Sequence, residues 1–370
     1  MAHTAQERYS KMVKAKVRKE LVLKDGVVFN NDYEGSPAAG SVKIPVRDTE
    51  VAVSDYDKAA GITGAAGSTS YETLVINKDK AVNEIIDGYD AASVPDNLVA
   101  DRLDSAGYSL AAQIDTDGAT TLVAGATVVN ESALDNTNIY GKIVDIRTAM
   151  SKANIPNDGK RYLLVTPDSM ALVLKSPEFI SASSLGDEVK ESGVVGKIAN
   201  FNVIEWNDTT ANLSMIAGHP RFATRAEEFA VPVHIQDLSG SGTFIGASAV
   251  QGRDVYGHKV LRSAAIRAVY SPGSIAITVA IGTVAVGDTK LTVTAEGSNT
   301  LAYKKNPATR VTYGLATATY AGTAMTSGAA KTIGTCAVGD IIEVVEFDAS
   351  TGLAVKVGYV TLATADIKLS

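Results

Sequence analysis

The residues that most often carry chemistry are few in this chain and widely scattered. Its four histidines are His3, His219, His234 and His258, and no two stand at metal-ligand spacing. His219 precedes Pro220 and reads as a turn residue, while His234 alternates with Val233 and Ile235 on a predicted strand. Cys336 is the single cysteine, so neither an intrachain disulfide nor a cysteine-based metal cluster can form. The carboxylates are plentiful but unpaired by pattern. DTDG at 115–118 lacks the remaining ligands of a calcium loop. Glu227 and Glu228 are adjacent, and successive side chains on a strand point to opposite faces, against an acid/base pair. The sequence contains no GxxxxGK[ST] phosphate loop, no HExxH helix and no GxSxG elbow. GITGAAGSTS at 61–70 has glycines but neither a following lysine nor a helix behind it, and it reads as a loop tip. No catalytic residue, metal ligand or cofactor site is assigned, and the reading is of a chain that is not an enzyme.

What must be explained instead is charge and architecture. The chain has 370 residues and a net charge of −7, with 45% hydrophobic and 20% charged residues. That length suits two domains and a sizeable core. Residues 1–24 hold seven cations, Arg8, Lys11, Lys14, Lys16, Arg18, Lys19 and Lys24, against Glu7 and Glu20. The last 97 residues balance seven bases with seven acids, so the acidity lies in the middle, 25–273. A basic arm on an acidic body is built to meet an anionic surface, nucleic acid or an acidic neighbour, unless it is simply a solvated amphipathic helix. The arm lacks interleaved aromatics beyond Tyr9, so any contact with DNA would be electrostatic and blind to sequence. The charged start has no apolar core of a signal peptide. Nowhere do about 18 apolar residues run together, which argues against a membrane span.

The patterning supplies the elements. Val42, Ile44, Val46, Val51 and Val53 alternate with polar residues, and YETLVINKDKAV at 71–82 alternates again. With the glycine-rich stretch between them, these segments predict one long hairpin over 42–82. After Pro95, Asp96 can cap a helix whose apolar residues Val99, Leu103, Ala106, Leu110 and Ile114 recur at steps of three and four. The spacing predicts a helix over 96–114. A second helix follows the Asp/Asn cluster at 135–138, with Ile139, Ile143, Ile146 and Met150 on one face. RYLLVT at 161–166 reads as a buried strand, and Pro167 opens a short helix running to Leu174. From 201 strands and loops dominate. SPGS at 271–274 marks a boundary, beyond which short strands at regular spacing predict a small sandwich or barrel. In that region GTVAVGDTKLTV (282–293) and GTCAVGDIIEVV (334–345) share a GTxAVGD core. Both are expected to place a turn before a strand, with Gly287 and Gly339 supplying the backbone freedom.

Four segments in order carry a family resemblance: RYLLVTPDSMALVLKSPEF (161–179), ESGVVGKIANFNVIEWND (191–208), HPRFATRAEEF (219–229) and GHKVLRSAAIRAVY (257–270). Together with the arm, hairpin and helix before them, they resemble the major capsid proteins of tailed bacteriophages, a fold shared with encapsulins. The likeness covers roughly 1–273. It implies an α+β capsid fold with N-arm, extended loop, spine helix, and peripheral and axial domains. A small all-β, Ig-like or barrel-like domain is appended. The expected division is an N-terminal arm at 1–35, a capsid body at 36–273 (extended loop 42–82, spine helix 96–114), and a decorating β domain at 274–370. The resemblance further implies self-assembly into pentamers and hexamers of an icosahedral shell around double-stranded DNA. Its implied partners are a separate scaffold protein, the portal, and packaged DNA held by non-specific electrostatics, with no membrane. Assembly is expected in the bacterial host cytoplasm and residence in the virion. The candidate contacts to interior DNA or scaffold are Arg8, Lys11, Lys14, Lys16, Arg18 and Lys19. Some relatives crosslink lysine to asparagine between subunits, and Lys58, the only lysine near the loop tip, is the candidate here against an ordinary solvated role. Two other readings compete. One is an encapsulin-type compartment, which would hold a cargo enzyme instead of DNA. The other is a surface-binding β-rich module, which the missing export signal disfavours.

Overall fold

The computed structural model describes residues 18–33, 40–46, 51, 53–62, 64, 69–89, 98–177 and 196–369. It is a mixed α+β structure of few helices and many strands, dividing into two compact units. One comprises 1–126 with 218–266, the other 127–217 with 267–370.

In the first unit, β1 (Ser41–Val46) and β2 (Ser70–Val75) pair antiparallel, in register from Ser41 opposite Val75 to Val46 opposite Ser70. The alternation continues past Val75 in sequence, but the strand does not. β3 (Lys78–Ile86) leaves the hairpin and pairs instead with β10 (Ser248–Val260), whose other edge holds β9 (Ala223–Asp237). The predicted hairpin over 42–82 is therefore a shorter one whose second strand hands over to a three-stranded sheet. Gly257 permits that crossing. A Cβ there would lie 2.4 Å from the Val75 carbonyl oxygen and 3.1 Å from Ile76 Cα.

Helix α1 (Leu98–Gly125, 28 residues) runs well beyond the predicted end at Ile114; Asp96 lies outside the described residues. At 1.5 Å per residue it is about 42 Å long. DTDG and the threonines that follow it look like a helix stop, yet each is absorbed. The hydroxyls of Thr116, Thr120 and Thr121 donate to the carbonyls four residues back, at 2.8, 3.0 and 3.0 Å. Gly118 sits where the Phe29 ring packs, and a Cβ there would be 3.0 Å from it. Tertiary packing thus overrides weak local propensity.

The second unit carries a six-stranded sheet. Its order is β4 (Thr127–Asn130), β11 (Arg267–Tyr270), β8 (Leu213–Gly218), β5 (Tyr162–Val165), β7 (Phe201–Glu205) and β6 (Lys197–Ile198). Helix α2 (Ile139–Lys152) buries Ile139, Ile143, Ile146 and Met150, the face read from the sequence, and α3 (Pro167–Leu174) begins at its proline as expected. Every residue of β5 and β8 is buried, as central strands require.

Residues from 273 onward form two sheets. One contains β12 (Gly273–Ser274), β19 (Ala354–Thr361), β18 (Ile341–Phe347), β15 (Thr300–Lys305) and β16 (Thr323–Met325). The other contains β13 (Thr278–Ile281), β14 (Thr289–Thr292) and β17 (Lys331–Ile333). Leu291 and Ile333 of the smaller sheet share a core with Leu301, Ile342 and Val344 of the larger, which makes a sandwich. The two AVGD segments form matching turns. Asp288 and Asp340 each donate their N–H to the alanine carbonyl three residues back (3.1 Å in both), and each carboxylate accepts that alanine's N–H at 2.7 and 2.9 Å. Gly287 and Gly339 have φ of 86° and 94°, the left-handed conformation this turn demands.

Replacing Gly257 by alanine should push β2 away from β10 and destabilise the chain by about 1–3 kcal/mol, the usual scale of an overpacked core. Chemical denaturation with a probe in the first unit measures this, and an unchanged midpoint would refute the close-approach account.

Candidate assembly surfaces

Each candidate surface is built within one unit. The β1–β2 hairpin is anchored at its base and bare beyond it. Ile44 and Leu74 are fully buried with Ile76 and Ala226. Outward and distal residues are not: Tyr71 is 62% exposed, Val51 80% and Val53 98%, with Tyr56 and Ile62 exposed as well. Residues 57–61 make a small exposed turn in which Asp57 accepts the Ala59 N–H at 2.7 Å, and Lys58 stands on it in solvent. The β9–β10 hairpin repeats this habit, with Phe244 and a 94% exposed Ile245 at its tip and exposed Phe229 and Ile235 along its strand. A single exposed leucine or valine is ordinary on a protein surface; rows of them on projecting hairpins mark surfaces that meet other chains.

Of the candidate arm contacts, Arg8, Lys11, Lys14 and Lys16 lie outside the described residues. The structure places Arg18 and Lys19 on α1. Arg18 Nη2 is 2.8 Å from Asp104 Oδ2, and its guanidinium lies over the Tyr108 ring, 4.7 Å from the centroid. Lys19 Nζ is 3.5 Å from Asp115 Oδ2, and the Lys19 carbonyl accepts the Tyr108 hydroxyl at 3.0 Å. Both cations are thus engaged with carboxylates of their own unit. Sequence reasoning missed those carboxylates as partners. The signal was present, because Asp104, Tyr108 and Asp115 recur at steps of four and seven and share one face of α1.

The histidines divide as structural residues do. His219 Nδ1 accepts the Arg221 N–H at 3.2 Å and caps a short 3₁₀ turn, and His234 is exposed. His258 is largely buried against Phe29 and Tyr256. Among the described residues no group of three His, Cys, Asp or Glu side chains is placed to hold a metal. An open cleft of about 810 Å³ in the second unit is lined by Thr166, Asp168, Ser169, Asp208, Ser214 and Ser271 among others, without histidine or lysine. Its Ser214 and Ser271 hydroxyls are 2.6 Å apart and bonded to one another.

The sandwich buries two carboxylates that no residue pattern marks as buried. Glu343 and Glu346, both on β18, are fully buried. Glu346 Oε1 accepts the Asn299 side-chain amide at 2.7 Å and the Glu296 N–H at 3.0 Å. Glu343 Oε2 accepts the Val311 N–H at 3.2 Å. Burial and the nearby Glu343 carboxylate push the Tyr320 and Tyr359 hydroxyls far above the usual phenol range, so both stay protonated. On the same side Lys304 Nζ lies over the Tyr320 ring (4.6 Å) and the Arg310 guanidinium over the Tyr359 ring (5.1 Å). These groups join the sandwich internally and bind nothing that the geometry identifies.

Bare hairpins, a spine-like helix and a mixed sheet are the features that the described residues present. The comparisons agree. A structure from Mycobacterium phage Che8 superposes with a TM-score of 0.60 at 24% identity, covering 72% of this chain and 97% of that one. The capsid of Cyanophage P-SCSP1u gives 0.61 at 14% identity, with 72% and 93% covered. The mature capsid of bacteriophage PhiM1 gives 0.59 at 12%, with 72% and 92% covered. At these identities the likeness is one of fold. No curated protein matches the sequence. The family model described as phage capsid protein matches residues 84–274, about half of the chain, and this chain belongs to that family. Its role is that of a major capsid protein, a repeated structural subunit of a phage shell, and its place is the capsid of the virion.

Glu343→Ala should leave the Val311 N–H without its buried acceptor, a loss of about 1–3 kcal/mol. Thermal unfolding followed at the single tryptophan, Trp206 in the second unit, tests this. An unaltered transition would mean that Glu343 contributes no net stability.

Proposed function

We propose that copies of this chain assemble as pentamers and hexamers into an icosahedral shell enclosing double-stranded DNA. The observation that carries the reading is the β1–β2 hairpin, anchored at its base and apolar where it projects. A subunit that reaches over its neighbour needs that division, and a monomer does not. One sequence must also serve several non-identical environments in such a shell, which suits the glycines of 61–70. The role is structural and not catalytic.

A separate scaffold protein would guide assembly in the host cytoplasm, a portal would occupy one vertex, and the basic arm would face inward. Its contact with DNA would be non-specific and salt-dependent. Because Arg18 and Lys19 are engaged with Asp104 and Asp115, the cations before them, Arg8, Lys11, Lys14 and Lys16, are the ones we assign to DNA or scaffold. The β domain at 274–370 would decorate the shell. The family model ending at residue 274 supports a later addition to a complete subunit. Encapsulin-type compartments remain the second reading, since they share the fold, and contents separate the two.

Purified chain, alone or with its scaffold, should form megadalton particles in negative-stain electron microscopy, and nuclease-protected DNA should lie inside particles from infected cells. A monomer under all these conditions would sink the shell reading, and a protein cargo in place of DNA would favour the compartment. Deleting 274–370 should leave particles of unchanged diameter with a thinner profile; loss of assembly would show that the sandwich is part of the shell and no decoration.

A further inference from the structure

Residues 22–30 form a strap that ties the start of the described chain to the first unit. Val22, Leu23, Val28 and Phe29 are buried. The Leu23 N–H donates to Asp115 Oδ1 on α1 at 2.9 Å, and Asn30 exchanges main-chain bonds with Ala223 and Arg225 at 2.8 and 2.9 Å. The Asn30 side-chain amide donates to the carbonyls of Pro220 and Arg221, and Asp25 pairs with Arg225. Phe29 is the pin, fully buried, with its ring 5.0 Å from that of His258 and held against Gly118.

The strap seam is apolar at Phe29 but poorly satisfied around it. Asp25 Oδ1, Asn30 Oδ1 and His258 Nδ1 are buried without a hydrogen-bond partner in the protein. Such groups cost free energy in the closed state and favour local opening before global unfolding. The charges that face His258 come from every element around it. Arg225 on β9 lies opposite it in register, Lys78 begins β3, and Asp117 projects from α1. Asp25 on the strap is taken by Arg225, and Asp254 lies further along β10 itself, beside Arg225 and Glu227. Asp117, the carboxylate nearest at hand, already accepts the Tyr256 hydroxyl at 2.9 Å and has Lys78 Nζ at 3.9 Å. A proton on His258 would therefore add a cation between two others, with no acceptor for its new N–H.

We propose that His258 is a proton-operated latch: on taking up a proton it expels Phe29, and the strap 22–30 releases from α1 and β10. The closed strap holds the imidazole well below its ordinary value, to about 4, chiefly through burial and then through Arg225. Once the strap is open the imidazole returns to about 6.5. The closed state is then fully favoured above that value and is progressively lost as pH falls toward about 4, where the effect saturates. Neither this mechanism nor its test depends on what the shell encloses.

Hydrogen exchange of the full chain, corrected for intrinsic rates, tests the latch at about pH 7.5 and about pH 4.5. Protection of peptides from 22–30 should fall about 10- to 100-fold between these conditions, while β18 and β19 peptides keep theirs. In His258→Asn, which cannot take up the proton, strap protection should be independent of pH. His258→Gln provides a second neutral variant if the first loses protection in β18 and β19 as well. Equal strap protection at both pH values in the unmodified chain would overturn the proposal, as would a neutral variant that stays folded and retains the full pH-dependent loss.

Discussion

Two buried carboxylates on α1 organise the first unit. Asp115 and Asp117 are each less than a tenth exposed, on a helix that packs along their face. A carboxylate left there without partners would cost several kcal/mol, so each must recruit donors from elsewhere in the chain. Asp115 takes the Leu23 N–H and the Lys19 ammonium, which fixes the strap. Asp117 takes the Tyr256 hydroxyl and draws Lys78, which fixes β10 and the start of β3. Through those strands the requirement reaches the hairpin, because Gly257, next to Tyr256, is the point of close approach to Val75 and Ile76. Together with the Phe29 ring held against Gly118, these bonds tie α1 to the strap and to β10.

The same economy explains why so much apolar surface stays uncovered. The hairpin contributes Ile44 and Leu74 to its own unit and keeps Tyr71, Val51, Val53 and Tyr56 in solvent. A soluble monomer gains nothing from that arrangement and risks edge-to-edge association. A subunit whose function is association gains its binding surface from it.

How much of this could be read from residues alone follows the range of the interactions. Helix α2 was legible because Ile139, Ile143, Ile146 and Met150 set their face by local period, and α3 because Pro167 fixes its start. The AVGD turns were legible because a glycine with positive φ and a following aspartate are local chemistry. The end of α1 was not, since DTDG and the two threonines after it resemble a stop until Leu23, Phe29 and Tyr256 arrive from distant parts of the chain. The break between β2 and β3 was hidden for a related reason. Period-two alternation states that a segment is extended and which side chains share a face, but not which strand it will pair with. The arm's basic character was evident, whereas its engagement by Asp104 and Asp115 required the helix register to be known.

The sandwich raises a sharper question about what a domain boundary means. Sequence texture changes at 271–274, and the family model stops at 274. Yet the residues beyond belong to the same compact unit as the six-stranded sheet. The reason lies just past β4, the terminal strand of that sheet. The segment after it is covered from the sandwich: Thr312 bridges Ser132, the Tyr313 N–H donates to the Glu131 carbonyl at 2.9 Å, and Arg310 pairs with Asp135 at 3.2 Å. Tyr313 stacks on Tyr270 of β11, and Ala133 packs into the core around Phe347 and Val345. An added module that merely hung from a linker would leave the parent edge as it found it. This one protects the strand end, so a chain that lost it would have to cover Ala133 and the Glu131 carbonyl some other way. Sequence can locate where a fold family ends, but mechanical independence is decided by which backbone groups the addition has come to satisfy.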